Sequence, residues 1–409
     1  MSAEHDVVIV GGGLVGASLA CALASTDARQ NIALIEAAPY RGAQAPSEDD
    51  RSIALSYASR LIFSAIGVWD AIDPADIGPI HRIHISDRGR PGLTHFDRRD
   101  VGADALGYVV PARALGAALW QRLHTYPAIK IYAPAELTAM TAEESSARLT
   151  LKYEGGTHNV RARLVVGADG ARSAVRTLLG VTARTVDYGQ TAIVTNIVPE
   201  RAHEHTAYER FTVHGPLALL PLTGRRCGMV LSVRTPDAQT WLALSDEEFL
   251  QRLQTEFGAR LGRIEKIGKR QSYPLSLTHI DDYAHTRTLL IGNAAHSLHP
   301  VAGQGFNLGL RDVAVLAELI VDTARAGGDI GAAAMLRQYA DWRRRDTVAM
   351  TRFTDGLIRV FSTDNWPLVL GRSIGLLAMD VLPPLKRSLL RRTLGFGGRL
   401  PRVLRGLPL

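Results

Sequence analysis

The residues best suited to chemistry lie in one run, Leu289-Leu-Ile-Gly292-Asn293-Ala-Ala-His296-Ser-Leu-His299-Pro300-Val-Ala-Gly303-Gln304-Gly305-Phe306-Asn307-Leu-Gly-Leu-Arg311-Asp312. It opens on apolar residues of strand type, turns at Gly292 and crosses a loop holding His299, Pro300, Gly303 and Gly305. From Phe306 the pattern is helical, with Leu308, Val313, Leu316 and Ile320 near one face. At such a crossing backbone N–H groups can face a ligand, and a helix N-terminus adds partial positive charge. That suits a ring system that becomes anionic, and a reduced flavin is one. His299, Pro300, Gly303, Gln304 and Gly305 are then its expected surroundings, with Asn293, Phe306 and Asn307 beside them. No residue of the run declares itself as acid, base or nucleophile. His296 and His299 have no carboxylate or thiol close by in sequence, so no metal site is expected.

Two further constellations fit the same ligand. Asp6 to Val10 is a short apolar run of buried-strand type, followed at once by Gly11-Gly-Gly13-Leu-Val-Gly16. A small, apolar helix to Ala24 and a second strand, Asn31 to Ile35, complete a β-α-β unit ending at Glu36. Gly11 permits the tight turn, Gly13 lets a phosphate approach the backbone, and Gly16 lets helix and strand pack closely. Glu36 is placed to accept hydrogen bonds from a ribose. The unit alone does not separate NAD from FAD. Farther on, the strand Val160 to Val166 ends in Gly167-Ala-Asp169-Gly170-Ala-Arg172-Ser173-Ala-Val-Arg176. Asp169 can accept from ribityl or ribose hydroxyls, Gly170 allows close backbone approach, and Arg172 and Arg176 are candidates to meet phosphate. The alternative is an ordinary Asp-Gly turn. Arg51 has the shape to clamp a pyrophosphate, and Arg113 sits in a first helical turn where a positive charge hints at an anionic neighbour. Each is equally an ordinary surface or helix-start arginine.

These pieces need an α/β framework. The segments 1–75, 105–180 and 280–340 read as one discontinuous Rossmann-like dinucleotide-binding domain. Between them, 76–104 and 181–279 change character. Short alternating runs such as Thr191 to Ile197, Ala207 to Val213 and Gly228 to Val233 dominate, interrupted by one helix, Asp246 to Phe257. This is an inserted, mostly antiparallel sheet that can wall a substrate pocket. Leu217, Leu219, Leu220 and Pro221 are candidates for the wall and equally for the core. Residues 341–409 complete the chain as helices and a basic tail.

Composition excludes other classes. Apolar residues make 46% of the chain and charged ones 21%, so a folded protein is expected rather than a disordered one. Cys21 and Cys227 make no disulfide framework, and a reducing, cytoplasmic setting is expected. The net charge of +7 is a local property: Lys386, Arg387, Arg391, Arg392, Arg399, Arg402 and Arg405 close the chain without a single acid. Read blandly, this is a solvated helix and extension. Read sharply, it seeks an anionic inner-membrane surface or an acidic partner within a biosynthetic complex. The stretch Trp366 to Leu385 is too interrupted to span a bilayer, but it has the make-up of a helix lying on one. Nucleic acid is not an expected partner, since no recognised module accompanies the charge.

The three constellations, in this order from residue 6 to about 320, resemble the FAD-dependent aromatic hydroxylases, the class A flavin monooxygenases. Within them the chain is most similar to the ubiquinone-biosynthesis hydroxylases of the 2-polyprenyl-6-methoxyphenol hydroxylase type. The likeness rests on Asn293, on His299-Pro300-Val-Ala-Gly-Gln-Gly-Phe-Asn307-Leu-Gly-Leu-Arg311-Asp312 and on Thr354-Asp-Gly-Leu-Ile-Arg-Val-Phe361. The wider superfamily carries Asp where Asn293 stands; an amide still bonds a hydroxyl but lacks the charge. The resemblance implies FAD as cofactor, NADH or NADPH as co-substrate, and hydroxylation of a polyprenyl phenol by O2 through a C4a-hydroperoxyflavin. It implies no separate nicotinamide domain, and no second GxGxxG follows the first. The rival readings are a reductase or epoxidase of the same fold, an NAD-dependent dehydrogenase, and a non-catalytic FAD-binding component of a lipid-synthesis complex.

Overall fold

A computed structural model describes residues 3–28, 30–39, 51–90, 92–297, 304–361, 371–372, 375, 378–379 and 381–409. At its centre lies a sheet whose parallel strands are Ala3–Val10, Ile32–Ile35, Ile129–Tyr132, Gly156–Gly167 and Thr288–Leu290. Val7, Val8 and Ile9 are fully buried, and so are Leu164, Val165 and Val166 beside them. Strands covered on both faces need continuous apolar runs, which is what these segments supply. Ala147–Tyr153 pairs antiparallel with Gly156–Gly167, and Ala135–Ala142 pairs antiparallel with Ala147–Tyr153, extending the sheet.

Helix Leu14–Ala24 packs against this sheet through small residues, Gly16 to Leu23 being buried. A side chain at Gly16 would collide with the Gly11 carbonyl oxygen, so a bare Cα is needed there. The longer helix Gln304–Arg325 crosses the first one. Gly309 makes that approach possible: a Cβ on it would stand 3.1 Å from Val15 and 3.4 Å from Gly292. A small antiparallel sheet, Ser52–Ser56, Gly107–Pro111 and Gly78–Ile80, stands beside these helices.

The second large sheet has nine strands, taken mainly from Arg82–Asp97 and Arg184–His279. Its outer face carries Leu217, Leu219, Met229 and Leu231, which pack on Trp241, Phe249, Leu253 and Phe257. Two helices supply those aromatic residues, Thr235–Ala243 and Asp246–Phe257. The second was expected, and Ser245 with Glu248 closes a capping box at its start. The first was not foreseen. Its nine residues begin Thr-Pro-Asp, a turn-like opening that is also a good helix start with proline in the first turn. Leu217 and Leu219 therefore belong to the core under these helices and not to a pocket wall; only Leu220 turns to the inner face.

The basic C-terminal segment is folded back on the body rather than simply solvated. Leu390, Leu394, Val403 and Leu404 are buried. Arg402 pairs with Asp322 at 2.8 Å, Lys386 with Asp100 at 3.0 Å, and Arg399 lies 3.8 Å over the Trp342 ring. Helix Pro383–Arg391 nevertheless leaves Leu385 exposed, next to exposed Val381 and Leu382. Half of the stretch Trp366 to Leu385 lies outside the described residues. Among the described residues no helix is long and apolar enough to cross a membrane.

Candidate cofactor groove and the charge network behind it

The C-terminal ends of the central parallel strands open on a groove of about 700 Å³. This is where ligands of open α/β sheets lie. Three of these strands, Ala3–Val10, Gly156–Gly167 and Thr288–Leu290, end in glycine-containing turns that keep side chains out of the way. Gly11 has φ +105° and packs on the Ala168 carbonyl, a conformation and a closeness that only glycine accepts. Gly13 and Gly170 face open space, so nothing but backbone lines the groove there. Gly292, Asn293, Ser297, Gly305 and Phe306 close the far side, and Asn293 is exposed into it. Arg51 and Arg113 line the rim.

The side chains of the three constellations divide into those that face this groove and those that build it. Asp169 does both. One oxygen accepts from the Val175 amide at 3.1 Å, while the other, Oδ1, is buried without a partner among the described residues. A buried carboxylate oxygen left so calls for a donor that the chain itself does not supply. Glu36 holds the first turn: its Oε2 accepts from Gly12 N at 2.6 Å and its Oε1 from Ala38 N at 2.8 Å. Each oxygen keeps a second acceptor site for an outside hydroxyl. Arg113 is already paired with Asp76 at 2.7 Å, so its charge is neutralised within the chain. Arg51 lies 5.1 Å from the Tyr273 ring centre and bridges the groove to the nine-stranded sheet.

Three sequence expectations need correction. Asn307 does not turn to the groove: its carboxamide accepts from Ser56 N (2.8 Å) and Ser59 Oγ (2.6 Å) and donates to the Ala54 carbonyl (2.9 Å). A buried amide finds its partners where they exist, and here it ties the long helix to strand Ser52–Ser56. Arg176 donates to the carbonyls of Ala294 (2.9 Å) and Ala171 (2.6 Å), joining two turns instead of meeting a phosphate. Arg172 does not line the groove. His299, Pro300 and Gly303 lie outside the described residues, and Gln304 begins the long helix.

Two contributors escaped sequence reading. Trp120 lines the groove and donates from Nε1 to the Gly12 carbonyl at 3.2 Å, across 108 residues of chain. Strand Ser52–Ser56 supplies Ser52, Ile53 and Ala54 to the wall. Neither carries a motif; only the pairing of Ser52–Ser56 with Gly107–Pro111 brings them together.

Behind the groove lies a buried charge network. Asp312, fully buried, accepts from Gly292 N at 2.9 Å and His296 Nε2 at 2.7 Å through Oδ2, and from Arg343 Nε at 2.5 Å through Oδ1. Burial works to raise the Asp312 pKa, but the charges and hydrogen bonds of His296 and Arg343 outweigh it and hold it at about 2. Arg343 is fully buried too and also reaches Asp346 at 2.7 Å. The network fixes the turn Gly292–Ala294 and so presents Asn293. His296, in sequence a half of a histidine pair, is engaged by this carboxylate.

Comparison with known proteins agrees with this geometry. The chain is 42% identical over 407 residues to the ubiquinone hydroxylase UbiL of Rhodospirillum rubrum, covering 99% of this chain and 93% of that one. It is 32% identical to the 3-demethoxyubiquinol 3-hydroxylase of Escherichia coli, covering 95% and 98%. Among solved structures, p-nitrophenol 4-monooxygenase PnpA of Pseudomonas putida superposes with a TM-score of 0.80 over 98% of this chain and 100% of that one, at 18% identity, which is a likeness of fold. Residues 4–354 match the FAD binding domain family, and with its groove, glycine turns and relatives the chain belongs to that family of flavoproteins.

Proposed function

We propose that the protein is an FAD-dependent monooxygenase that hydroxylates the ring of a polyprenyl phenol in ubiquinone biosynthesis, with O2 and NADH or NADPH as co-substrates. The observation that carries the cofactor is the fit of the groove. Gly13 and Gly170 leave backbone bare toward it, and Asn293 is exposed in its wall. The hydroxylase names of the relatives favour this reading over a reductase or an epoxidase.

In this reading the pyrophosphate lies along Gly11–Gly13, with Arg51 at hand, and Glu36 receives a ribose hydroxyl. Asp169 and Asn293 receive the ribityl chain. The backbone at Gly305 and Phe306, at the start of the long helix, meets the ring system together with Pro300 and Gly303. Bound FAD supplies the redox chemistry, taking electrons from the nicotinamide and passing them to oxygen. The chain's own residues bind, orient and keep water out. Helix-start amides favour negative charge on the ring. Phe306, stacked on Phe63 with ring centres 6.2 Å apart, holds an apolar wall against it. We place the dinucleotide-binding unit at 1–75, 105–180 and 280–340, and the substrate unit at 76–104 and 181–279.

Oxygen uptake by the FAD-loaded protein with NADH or NADPH tests the reading, with and without a short-chain prenyl phenol. The expected result is phenol-stimulated uptake with a hydroxylated product and little peroxide. Uptake that ends entirely as peroxide, whatever phenol is added, sinks it.

A polyprenyl substrate partitions into lipid, and the exposed Val381, Leu382 and Leu385 beside Arg387 and Arg391 are suited to an anionic bilayer surface. Replacing the three apolar residues by Ser is expected to abolish flotation with anionic liposomes while leaving FAD content unchanged. Equal flotation of both proteins would refute the surface. A deletion of 386–409 is the poorer test, because it removes the buried Leu390, Leu394 and Leu404.

A further inference from the structure

Glu209 is out of keeping with its surroundings. Its neighbours in the strand face the helices: Tyr208 packs edge-on against Phe257 at 5.5 Å, and Arg210 donates to the Glu256 carbonyl at 3.0 Å. Side chains alternate along a strand, so Glu209 points with Ala207 and Phe211 to the inner face of the nine-stranded sheet. In register it lies between Ile85 and Ala218. The cover on this face is apolar, with Ala207, Ile85 and Leu220 packed with Leu390 and Leu394. Among the described residues no side chain donates to the carboxyl, and burial alone pushes its pKa up to about 7. Part of Glu209 is nonetheless accessible, so it is not packed shut.

On the elements packed around it, Arg387 and Arg391 of helix Pro383–Arg391 are exposed, and two further charges are engaged elsewhere. Asp87, on the adjoining strand, is bound by Arg372 at 2.8 Å, and Lys386 by Asp100 at 3.0 Å. His84, also on that strand, lies on the opposite face against Tyr208, and Arg210 faces the helices. Strand Pro216–Pro221 carries no titratable group. The same inner face leads to the groove. Gly228 stands two strands across and one pleat along from Glu209, about 12 Å on ordinary sheet spacings. Ser52, in the groove wall, is the nearest side chain to Gly228, at 3.7 Å from where its Cβ would be. An aromatic ring with its substituents bridges such a gap.

We propose that Glu209 is the catalytic base of the hydroxylation, taking the proton of a substrate phenol that lies between this face and the cofactor groove. The proposal rests on the hydroxylase reading above. The phenol O–H bond breaks, its electron pair stays on oxygen, and the proton passes to a Glu209 carboxylate oxygen. The phenolate so formed donates electron density to the ring carbon that is to be hydroxylated. Once the ring carbon has taken the hydroxyl, its C–H bond breaks, that proton leaves to water and the electron pair restores the aromatic ring. The proton held by Glu209 returns to the phenol oxygen, and Glu209 ends the cycle ionised. A carboxyl tuned toward working pH by an apolar site suits this task, and such a base contributes about 10²- to 10⁴-fold.

Two measurements on the FAD-loaded protein test it. Without any substrate, the infrared band of a protonated carboxyl should titrate near neutral pH in the wild type and be missing in Glu209→Gln. With a soluble short-chain prenyl phenol, Glu209→Gln should lose at least about 100-fold in hydroxylation rate. Its pH profile should move up to the phenol's own ionisation, Glu209→Asp should recover part of the rate, and a phenol acidic enough to be ionised already should restore most of it. A missing wild-type band, or a Gln variant that hydroxylates both phenols at the wild-type rate, overturns the proposal while leaving the hydroxylase reading intact. If the wild type hydroxylates no phenol at all, that reading falls and the proposal goes with it.

Discussion

Asp312→Asn is expected to lower the stability of the FAD-loaded protein by about 3–5 kcal/mol at pH 7, read as an earlier midpoint in urea. The amide keeps the shape of the carboxyl but removes the charge that faces Arg343, which is fully buried. Asp346 remains as a partner at 2.7 Å, so the arginine is not stranded, which sets the upper end of the range. The new NH2 also has to face either Gly292 N or Arg343 Nε, both donors. The pH dependence gives a second signature. Because the Asp312 pKa is held at about 2, its contribution is present above the unfolded value near 4 and is lost as pH falls toward 2. The gap between wild type and variant should therefore close in that window. A variant that unfolds with the wild type at pH 7 would show that the network does not hold the Gly292 turn.

Glu209→Gln should act in the opposite direction on stability. The carboxyl pKa is raised from 4.5 to about 7, so the folded state binds the proton more tightly than the unfolded chain does. Its contribution is full below about pH 4.5 and is lost as pH rises to about 7. Above that the wild type holds an ionised carboxylate in an apolar place, at a cost of up to about 3 kcal/mol, less what its partial accessibility returns. The neutral amide carries no such burden. The expected outcome is a variant of equal stability at pH 4.5 and of clearly higher melting temperature at pH 8, even as its hydroxylation rate falls. Parallel stability curves across that range would mean that water reaches Glu209 freely. A residue that weakens the fold while it serves the reaction is what a tuned acid–base group looks like.

How much of this was legible beforehand follows from the distance between partners. Gly11, Gly13 and Gly16 act within one turn of chain, so their spacing announces the turn, the open backbone and the tight crossing that the structure has. Parallel strands buried on both faces, such as Asp6 to Val10, betray themselves by unbroken apolar runs. Asn307 did not, because its partners Ser56 and Ser59 lie 251 and 248 residues away. Placed at a helix start beside glycines, it looked like a ligand contact and is a clamp. Asp312 ended the quoted run without a role, since Arg343 stands 31 residues on, in the next helix. Glu209 was the hardest to see. A glutamate between Tyr208 and Arg210 in an alternating strand reads as a wetted position, and the apolar cover on that face comes from the C-terminal segment folded over it. Tertiary cover decides burial, and the cover comes from the far end of the chain.

The central sheet is stitched from distant parts of the gene product. Strand Gly156–Gly167 receives its partner Thr288–Leu290 only after the whole of Arg184–His279 has intervened. While the ribosome is still making that intervening stretch, the edge formed by Val165 to Gly167 stays open. Exposed edges recruit foreign strands. The nascent polypeptide thus passes through an interval of vulnerability to misassembly, closed when residue 290 leaves the exit tunnel and the edge is capped.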